Sequence, residues 1–366
     1  MNYNWQHPSW PKFEYTLENS EILLYDYGKK VGRTVGILKG LNDDLAKDAL
    51  LDRMVNEALF TSQIEGEHFN ESDLRSSIKG ALCSTLPTSK IHDERAFGIS
   101  KLVSLLHQDY QKDLNQETLF LWHKTLFEHS SYALPKGQWR ESPEPVRIVS
   151  NHMGRMRVSF EAPPATDVPS QISQFLAWFN VESKTLPGPI RAALAHLYFE
   201  SIHPFADGNG RIGRAICEIA LAQDMGYPCM LGLSKAIQKS QKVYYNELSK
   251  ASSYTVSVSS YVNYFMKTLT EALIEAETDI HFVFKKSQFW KRHQNSINAR
   301  QEKVLKNMLS EGKAGPKGGI SAQKYVTIAH CSKATATRDL KELLDLKALK
   351  KHDSGGRSTA YEVNFL

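Results

Sequence analysis

Ile202-His-Pro-Phe-Ala-Asp-Gly-Asn-Gly-Arg-Ile-Gly-Arg214 lies between two apolar runs of helical spacing, Ala192 to Phe199 before it and Ile212 to Ala222 after it. The stretch is therefore a loop that runs into a helix N-terminus. Gly208 and Gly210 permit backbone angles that other residues avoid, so amide N–H groups around Asn209 can turn inward as an anion nest, helped by the following helix dipole. Arg211 and Arg214 stand three apart in the first turn and project from one side. Two guanidiniums beside such a nest suit a di- or triphosphate. Asp207 would repel phosphate there unless a cation intervenes, and a magnesium ion bridging its carboxylate to the phosphates removes the conflict. His203 is the only group of the loop that titrates near neutrality, which makes it the natural general base for an incoming hydroxyl. Phe205 has no polar task and anchors the loop in the core. Taken singly, each residue also admits a plainer reading: a helix-breaking turn, and arginines that cap acidic neighbours.

Working outward, 366 residues leave room for two or three domains, and 41% hydrophobic with 23% charged residues is ordinary for a globular protein. No run reaches the length of a membrane span, and Met1 to Phe13 is aromatic and polar rather than signal-like, so a cytoplasmic protein with no membrane partner is expected. Cys83, Cys217, Cys229 and Cys331 are scattered, which disfavours a disulfide framework or a zinc site and favours buried free thiols. The net charge of +5 conceals an asymmetry: from His281 to Leu366 there are seventeen Lys/Arg against seven Asp/Glu. One basic end suggests an anionic partner, with a solvated basic face as the alternative.

The rest of the chain reads as mainly α. Apolar positions from Leu38 through Leu59 recur at helical steps, and a strongly periodic helix runs from Leu50 to Ile64. Further helices are predicted at about Asp93 to Asp109, Asn115 to Phe127, Val168 to Val181, Pro189 to Ser201, Gly210 to Asp224, Ser234 to Ser252 and Val256 to Ile280. Two β-rich runs around an Asn/Gly turn predict one hairpin over about 145–160. The predicted organisation is a helical N-terminal region (1–110), a core (111–280), a basic aromatic linker (281–297) and a C-terminal module (298–366).

From His203 to Arg214 the sequence resembles the Fic signature, HPFx(D/E)GNGRxxR, at every specified position. The resemblance implies a Fic-type helical core with a β-hairpin flap, and a protein adenylyltransferase that uses ATP and Mg2+. In that reading His203 deprotonates a Ser, Thr or Tyr hydroxyl of a target protein and Asp207 holds the metal. Gly208, Asn209, Gly210, Arg211, Ile212, Gly213 and Arg214 surround the ATP phosphates. Gly137-Gln-Trp-Arg140 and the hairpin resemble the family's flap, with Val146, Arg147, Ile148 and Val149 as the edge that aligns the target chain. Tyr244 resembles an adenine-side tyrosine and is preferred to Tyr245. Thr61-Ser-Gln-Ile-Glu-Gly66 resembles the inhibitory motif [S/T]xxxE[G/N], which implies that Glu65 reaches Arg214 and displaces the γ-phosphate of ATP, with Thr61 and Gly66 completing the motif. The aromatic opening Trp5 to Phe13 resembles an accessory domain found ahead of some bacterial Fic cores. Use of another nucleotide, and AMP removal with Glu65 placing water, stay open.

Residues 298–366 read as a helix over Gln301 to Leu309, a loop at 312–319, a short helix over Ile320 to Ala329, a helix over Ser332 to Leu344 and a hairpin around Gly355-Gly356, which together resemble a winged helix-turn-helix with Ser332 as N-cap. Lys333, Thr335, Thr337 and Arg338 are the predicted DNA contacts, with protein contact or homodimerisation as the rival use. A DNA-binding regulator with weak Fic activity is the remaining alternative.

Overall fold

The chain divides into two compact units in this computed structural model, residues 1–36 with 47–276, and residues 37–46 with 277–366. All residues are described except 1–2, 19, 42, 84–90, 131–132, 143, 153–154, 229, 311–315, 317, 353–358 and 366. The first helices are α1 (Ser20–Gly40), α2 (Asp43–Ile64), α3 (Glu71–Cys83), α4 (Arg95–Asp109) and α5 (Gln116–Leu126). The hairpin β1 (Arg147–His152) and β2 (Arg155–Glu161) follows, then α6 (Val168–Asn180), α7 (Gly188–Ile202), α8 (Asn209–Met225), α9 (Leu233–Lys239), α10 (Gln241–Ala251) and α11 (Ser259–His293). The chain closes with α12 (Ala299–Ser310), β3 (Ile320–Ser321), α13 (Ala322–Ala329), α14 (Lys333–Asp345), β4 (Leu349–Lys351) and β5 (Ala360–Val363).

Every residue of α7 is buried. A helix mostly apolar or small all round has no face to give to water and becomes the centre of its unit, here with Arg191, His196 and Glu200 buried as well. Among the described elements it packs most extensively on α8, and residues 203–208 form the loop between the two helices.

The hairpin is a two-stranded antiparallel sheet with Arg147 opposite Glu161 and a register shift between Ile148 and Val149. Its turn at 153–154 lies outside the described residues. The aromatic opening straps this region together. Asn4 Nδ2 donates to Ser201 Oγ at 2.7 Å, Trp5 Nε1 donates to the Glu161 carbonyl at 2.8 Å, and Trp10 stands edge-on to Tyr198.

In the second unit, α12, α13 and α14 pack with a three-stranded sheet ordered β3-β5-β4 around Phe289, Leu305, Tyr325 and Leu340. Buried Asp339 ties the helices: both its oxygens accept from Arg300, at 3.1 and 3.3 Å, and Tyr325 Oη donates to Oδ2 at 3.0 Å. The hairpin turn expected around Gly355-Gly356, and most of the loop expected at 312–319, lie outside the described residues.

Three expectations are corrected, and one helix is added to those expected. The single helix expected over Ser234 to Ser252 breaks at Ser240, whose φ is −119° and whose Oγ donates to the Ala236 carbonyl; a hydroxyl that bonds the backbone competes with the helix ladder. Residues 281–293, expected as linker, continue α11, because Phe282, Phe289 and Trp290 turn into the second core. The segment opening at Ile320 starts as a strand paired with Tyr361 rather than as a helix. Helix α3 was not foreseen, since its buried face uses Ser76 and Ser77 beside Leu74 and Ile78 and so dilutes the apolar stripe. Cys217 is a buried free thiol and Cys331 is half-buried; Cys229 and the side chain of Cys83 lie outside the described residues. Among the described residues no helix is long and apolar enough to cross a membrane.

Candidate active site

His203 terminates α7 in the left-handed region, at φ 50° and ψ 59°, with its N–H donating to Phe199 O at 3.0 Å. A non-glycine residue there is uncommon and is held by its surroundings. Arg140 supplies the hold: Nε donates to the His203 carbonyl at 2.7 Å and Nη2 to the Pro163 carbonyl at 2.6 Å. Its own N–H donates to Pro204 O at 3.0 Å. Asn209 closes the loop from the other side. Its Oδ1 accepts from Phe205 N–H and its Nδ2 donates to Phe205 O, both at 2.9 Å.

His123 of α5 stacks on Phe205 with centroids 4.2 Å apart. Gly137 N–H donates to Nδ1 at 2.9 Å, and Nε2 lies 3.2 Å from the Asp207 carbonyl. A carbonyl only accepts, so Nε2 carries the proton and the ring is neutral. Burial accordingly pushes its pKa down to about 4.

Gly208 is the N-cap of α8 at φ 80°, and no side chain caps that first turn. Asp207 faces solvent, with Oδ1 accepting the Gly208 N–H at 2.6 Å. Arg214 is 1% exposed; Nη2 lies 2.9 Å from Glu65 Oε1, Nε donates to Thr61 Oγ1 at 2.8 Å, and Nη2 also reaches Thr61 O at 2.9 Å. Its Nη1 has no hydrogen-bond partner among the described residues. Arg211 pairs with Glu67 and lies over the Phe127 ring at 5.0 Å. Arg95 Nη1 also approaches Glu67, at 3.8 Å. Gly66, at φ 80°, ends α2 and turns the chain so that Glu65 and Glu67 both face the loop.

Burial opposes the Arg214 charge, yet the Glu65 charge and hydrogen bond hold its pKa raised. Burial first, then Arg140, push His203 down to about 4, with the Glu200 main-chain carbonyl and the Glu65 and Asp207 charges working the other way. Its imidazole is thus neutral and able to take a proton at physiological pH. Behind it lies Glu200, 7% exposed, with Oε2 3.7 Å from His203 Nδ1; burial and the Glu65 charge push its carboxyl up to about 8.

Residues 113–221 match the Fic/DOC family, and residues 3–83 match a domain of unknown function, DUF4172. The chain carries a Fic domain. It is similar to a probable protein adenylyltransferase, aq_aa38 of Aquifex aeolicus, at 31% identity over 115 residues, covering 31% of this chain and 32% of the relative. It is also similar to the protein adenylyltransferase fic-1 of Caenorhabditis elegans, at 25% identity over 211 residues, covering 55% of this chain and 39% of the relative. The matches thus span about a third of the length of these curated relatives, 32% and 39%. The fold is shared with a Fic family protein of Desulfovibrio desulfuricans, with a TM-score of 0.54 at 16% identity over 95% of this chain and 97% of that one. A Fic-domain signalling protein of Bacteroides thetaiotaomicron gives a TM-score of 0.52 at 19% identity over 69% and 97%.

The structure brings His203, Asp207, Gly208, Gly210, Arg211 and Arg214, all within the Fic match, to one loop and helix start, and lays Glu65, from the DUF4172 match, on Arg214. Several residues have other tasks. Asn209 spends its carboxamide on Phe205, so only its main chain faces a ligand. Ile212 is fully buried and its N–H donates to Gly208 O at 3.1 Å. Gly213 faces Glu200 Oε1 and His196. Tyr244 is 1% exposed and hydrogen-bonds His196 Nε2 at 3.0 Å, so it lines no open pocket. Tyr245, which donates to Ile64 O at 3.3 Å and is 43% exposed, takes the outward position. In the hairpin, Val146 packs toward Tyr3 and Phe160, Arg147 pairs with Glu161, and Ile148 is exposed on a strand whose outer edge is unpaired among the described residues; the Val149 side chain lies outside the described ones. Sequence reasoning missed His123, Glu67 and Glu200, and gave Arg140 no task. The one signal for Glu67 was its place two residues beyond Glu65.

Proposed function

We propose that the chain is a protein adenylyltransferase that moves AMP from magnesium-ATP to a Ser, Thr or Tyr hydroxyl of a target protein, and that Glu65 holds it quiet. One observation carries the reading: Arg214 is a buried cation with one arm held by a carboxylate from another helix and Nη1 unpartnered among the described residues. A buried donor without a partner is costly, so this arm is placed for an anion that arrives later.

The donors around it fit phosphates: the uncapped first turn of α8, the Gly208 and Gly210 backbone, and Arg211. Among the described residues no cluster of His, Cys, Asp or Glu would hold a metal by itself. The solvent-facing Asp207 carboxylate therefore fits an ion that enters with its phosphates, as magnesium does. When bound, that ion neutralises phosphate charge, with Asp207 as its protein ligand. Nε2 of His203 takes the target hydroxyl proton, the oxygen bonds to the α-phosphorus, and the bond to the β-phosphate breaks as pyrophosphate leaves with the electron pair. The arginines balance the charge gathering on pyrophosphate. The unpaired edge of β1, centred on Ile148, receives the target as an added strand.

Intact mass spectrometry after incubation with magnesium-ATP tests this. Glu65→Gly protein should gain the mass of one or more AMP groups, and the added His203→Ala change should abolish the gain. Uptake of a different nucleotide only, or none with any target, overturns the reading. Release of AMP from a modified protein that depends on Glu65 would replace transfer by removal.

For the second unit we propose a winged-helix module that contacts DNA. Lys333, Thr337, Arg338 and Lys341 are exposed along α14, beside a sheet in the position of a wing. Thr335, beside them, is half-buried in the cap with its Oγ1 3.0 Å from Ser332 Oγ.

A further inference from the structure

Buried Glu200 and half-buried His203 form a pair for which the loop motif gives no reason. Glu200 lies on the last turn of α7 and points toward α8. There Gly213 faces it so closely that an added Cβ would sit 2.6 Å from Oε1. Residue 213 is glycine inside a helix, where glycine costs about 1 kcal/mol against alanine, and that close approach is what the cost permits. Oε1 has no hydrogen-bond partner among the described residues, and Oε2 stands 3.7 Å from His203 Nδ1, on the side where the Glu200 main-chain carbonyl also faces the ring. A carboxyl behind the inner nitrogen of an imidazole leaves Nε2 to face the incoming hydroxyl.

We propose that Glu200 is a positioning residue for His203: its carboxyl orients the ring through Nδ1–H and, when ionised, stabilises the imidazolium formed as Nε2 takes a proton. This rests on the adenylyl-transfer reading. The rule is the one by which a buried carboxylate fixes the tautomer and strengthens the basicity of a catalytic histidine.

The surroundings set when Glu200 ionises. Glu65 from α2 pushes its pKa up and Arg214 from α8 pushes it down, with burial the largest influence and the result about 8. Cys217 of α8, Tyr244 of α10 and Tyr261 of α11 all have raised pKa values and are uncharged neighbours. His196 on the same helix is pushed down to about 3 and is neutral as well. Arg140, on the His203 side, is the other nearby cation.

The test has two arms. In the Glu65→Gly protein, the AMP-transfer rate should rise with pH as Glu200 ionises. That rise sits below the resting value, because the Glu65 charge that helps keep Glu200 protonated is gone. Adding Glu200→Gln should remove the rise and lower kcat by about tenfold to hundredfold, with KM for ATP little changed. Glu200→Asp should keep a rise of smaller size. The second arm needs no turnover. Histidine ring resonances, with His203 assigned by its loss in His203→Ala, should shift in wild type near pH 8 and stay flat there in Glu200→Gln. A Glu200→Gln protein with an unchanged rate profile, or a wild-type His203 resonance that senses no titration between pH 6 and 10, overturns the proposal. If no nucleotide is transferred at all, the resonance arm still decides it.

Discussion

Glu65 lies between Arg214 and Gly210: its Oε1 is 2.9 Å from Arg214 Nη2, and a Cβ added to Gly210 would come within 2.3 Å of the same oxygen. The carboxylate thus fills the space over the loop glycine while neutralising the guanidinium beneath it. Glu65→Gly is expected to raise auto-modification by about tenfold to a hundredfold, the range that follows from about 1.5–3 kcal/mol for a charge-assisted hydrogen bond. Adding Arg214→Ala should erase the gain. Labelled ATP and a gel are sufficient, and an equally quiet Glu65→Gly protein would remove the inhibitory role.

The same helix end holds the other arginine through Glu67. Glu67→Ala removes the nearer of two carboxylates from Arg211, leaving Asp207 Oδ1 3.9 Å from Nη2, and should tighten ATP binding by about tenfold, by the same hydrogen-bond scale. In Glu65→Gly protein the two gains should combine. Calorimetric titration with ATP and magnesium reads it, and unchanged affinity in both backgrounds would mean that Arg211 does not meet the nucleotide.

His123→Phe keeps the ring on Phe205 but strands the Gly137 N–H and the Asp207 carbonyl. Unfolding in urea should show a loss of about 1–3 kcal/mol, and transfer should fall because Asp207 and the nest lose their anchor. A stability equal to wild type would show that solvent replaces both bonds.

Acid should destabilise the first unit. Burial lowers the pKa values of His123 to about 4, His196 to about 3 and His203 to about 4. For groups depressed below their unfolded value, the stability is present above about pH 6.5 and is lost as pH falls toward the folded values. Glu200 has the opposite sign: raised to about 8, it contributes stability at low pH that is lost as pH rises through that value. The melting temperature of His123→Phe should therefore fall less from pH 6.5 to 4.5 than that of wild type, because the variant lacks one of these depressed groups. Relative to wild type, Glu200→Gln should gain stability between pH 5 and pH 8.5.

If α14 meets DNA, binding of a generic duplex should weaken steeply with salt, and Lys333→Ala with Arg338→Ala should flatten that slope by about one unit per lost phosphate contact. Fluorescence anisotropy at two salt concentrations checks it. An absence of binding at low salt would return the module to protein contact.

What the sequence determined by itself was local chemistry. The order of residues 203–214, the helix end at Gly66 and the Ser332 cap, which accepts Thr335 N–H at 3.2 Å, follow from neighbours a few positions apart. The helical core and hairpin followed from periodicity in the same way. Tertiary structure decided every role that depends on which face turns inward. Tyr244 and Tyr245 are adjacent, and only the burial of His196 between Tyr244 and Tyr261 shows which one faces the core. Asn209 and Asp207 are two apart, yet one carboxamide is consumed by the loop and the other side chain meets solvent. The Arg214–Thr61 and Arg211–Glu67 contacts join residues 153 and 144 positions apart. His123, Arg140 and Glu200 reach His203 or its loop from separate segments or from one helical turn away. A helical period marks the face of a helix that will be buried, but the partner that buries it is chosen by packing of the whole chain.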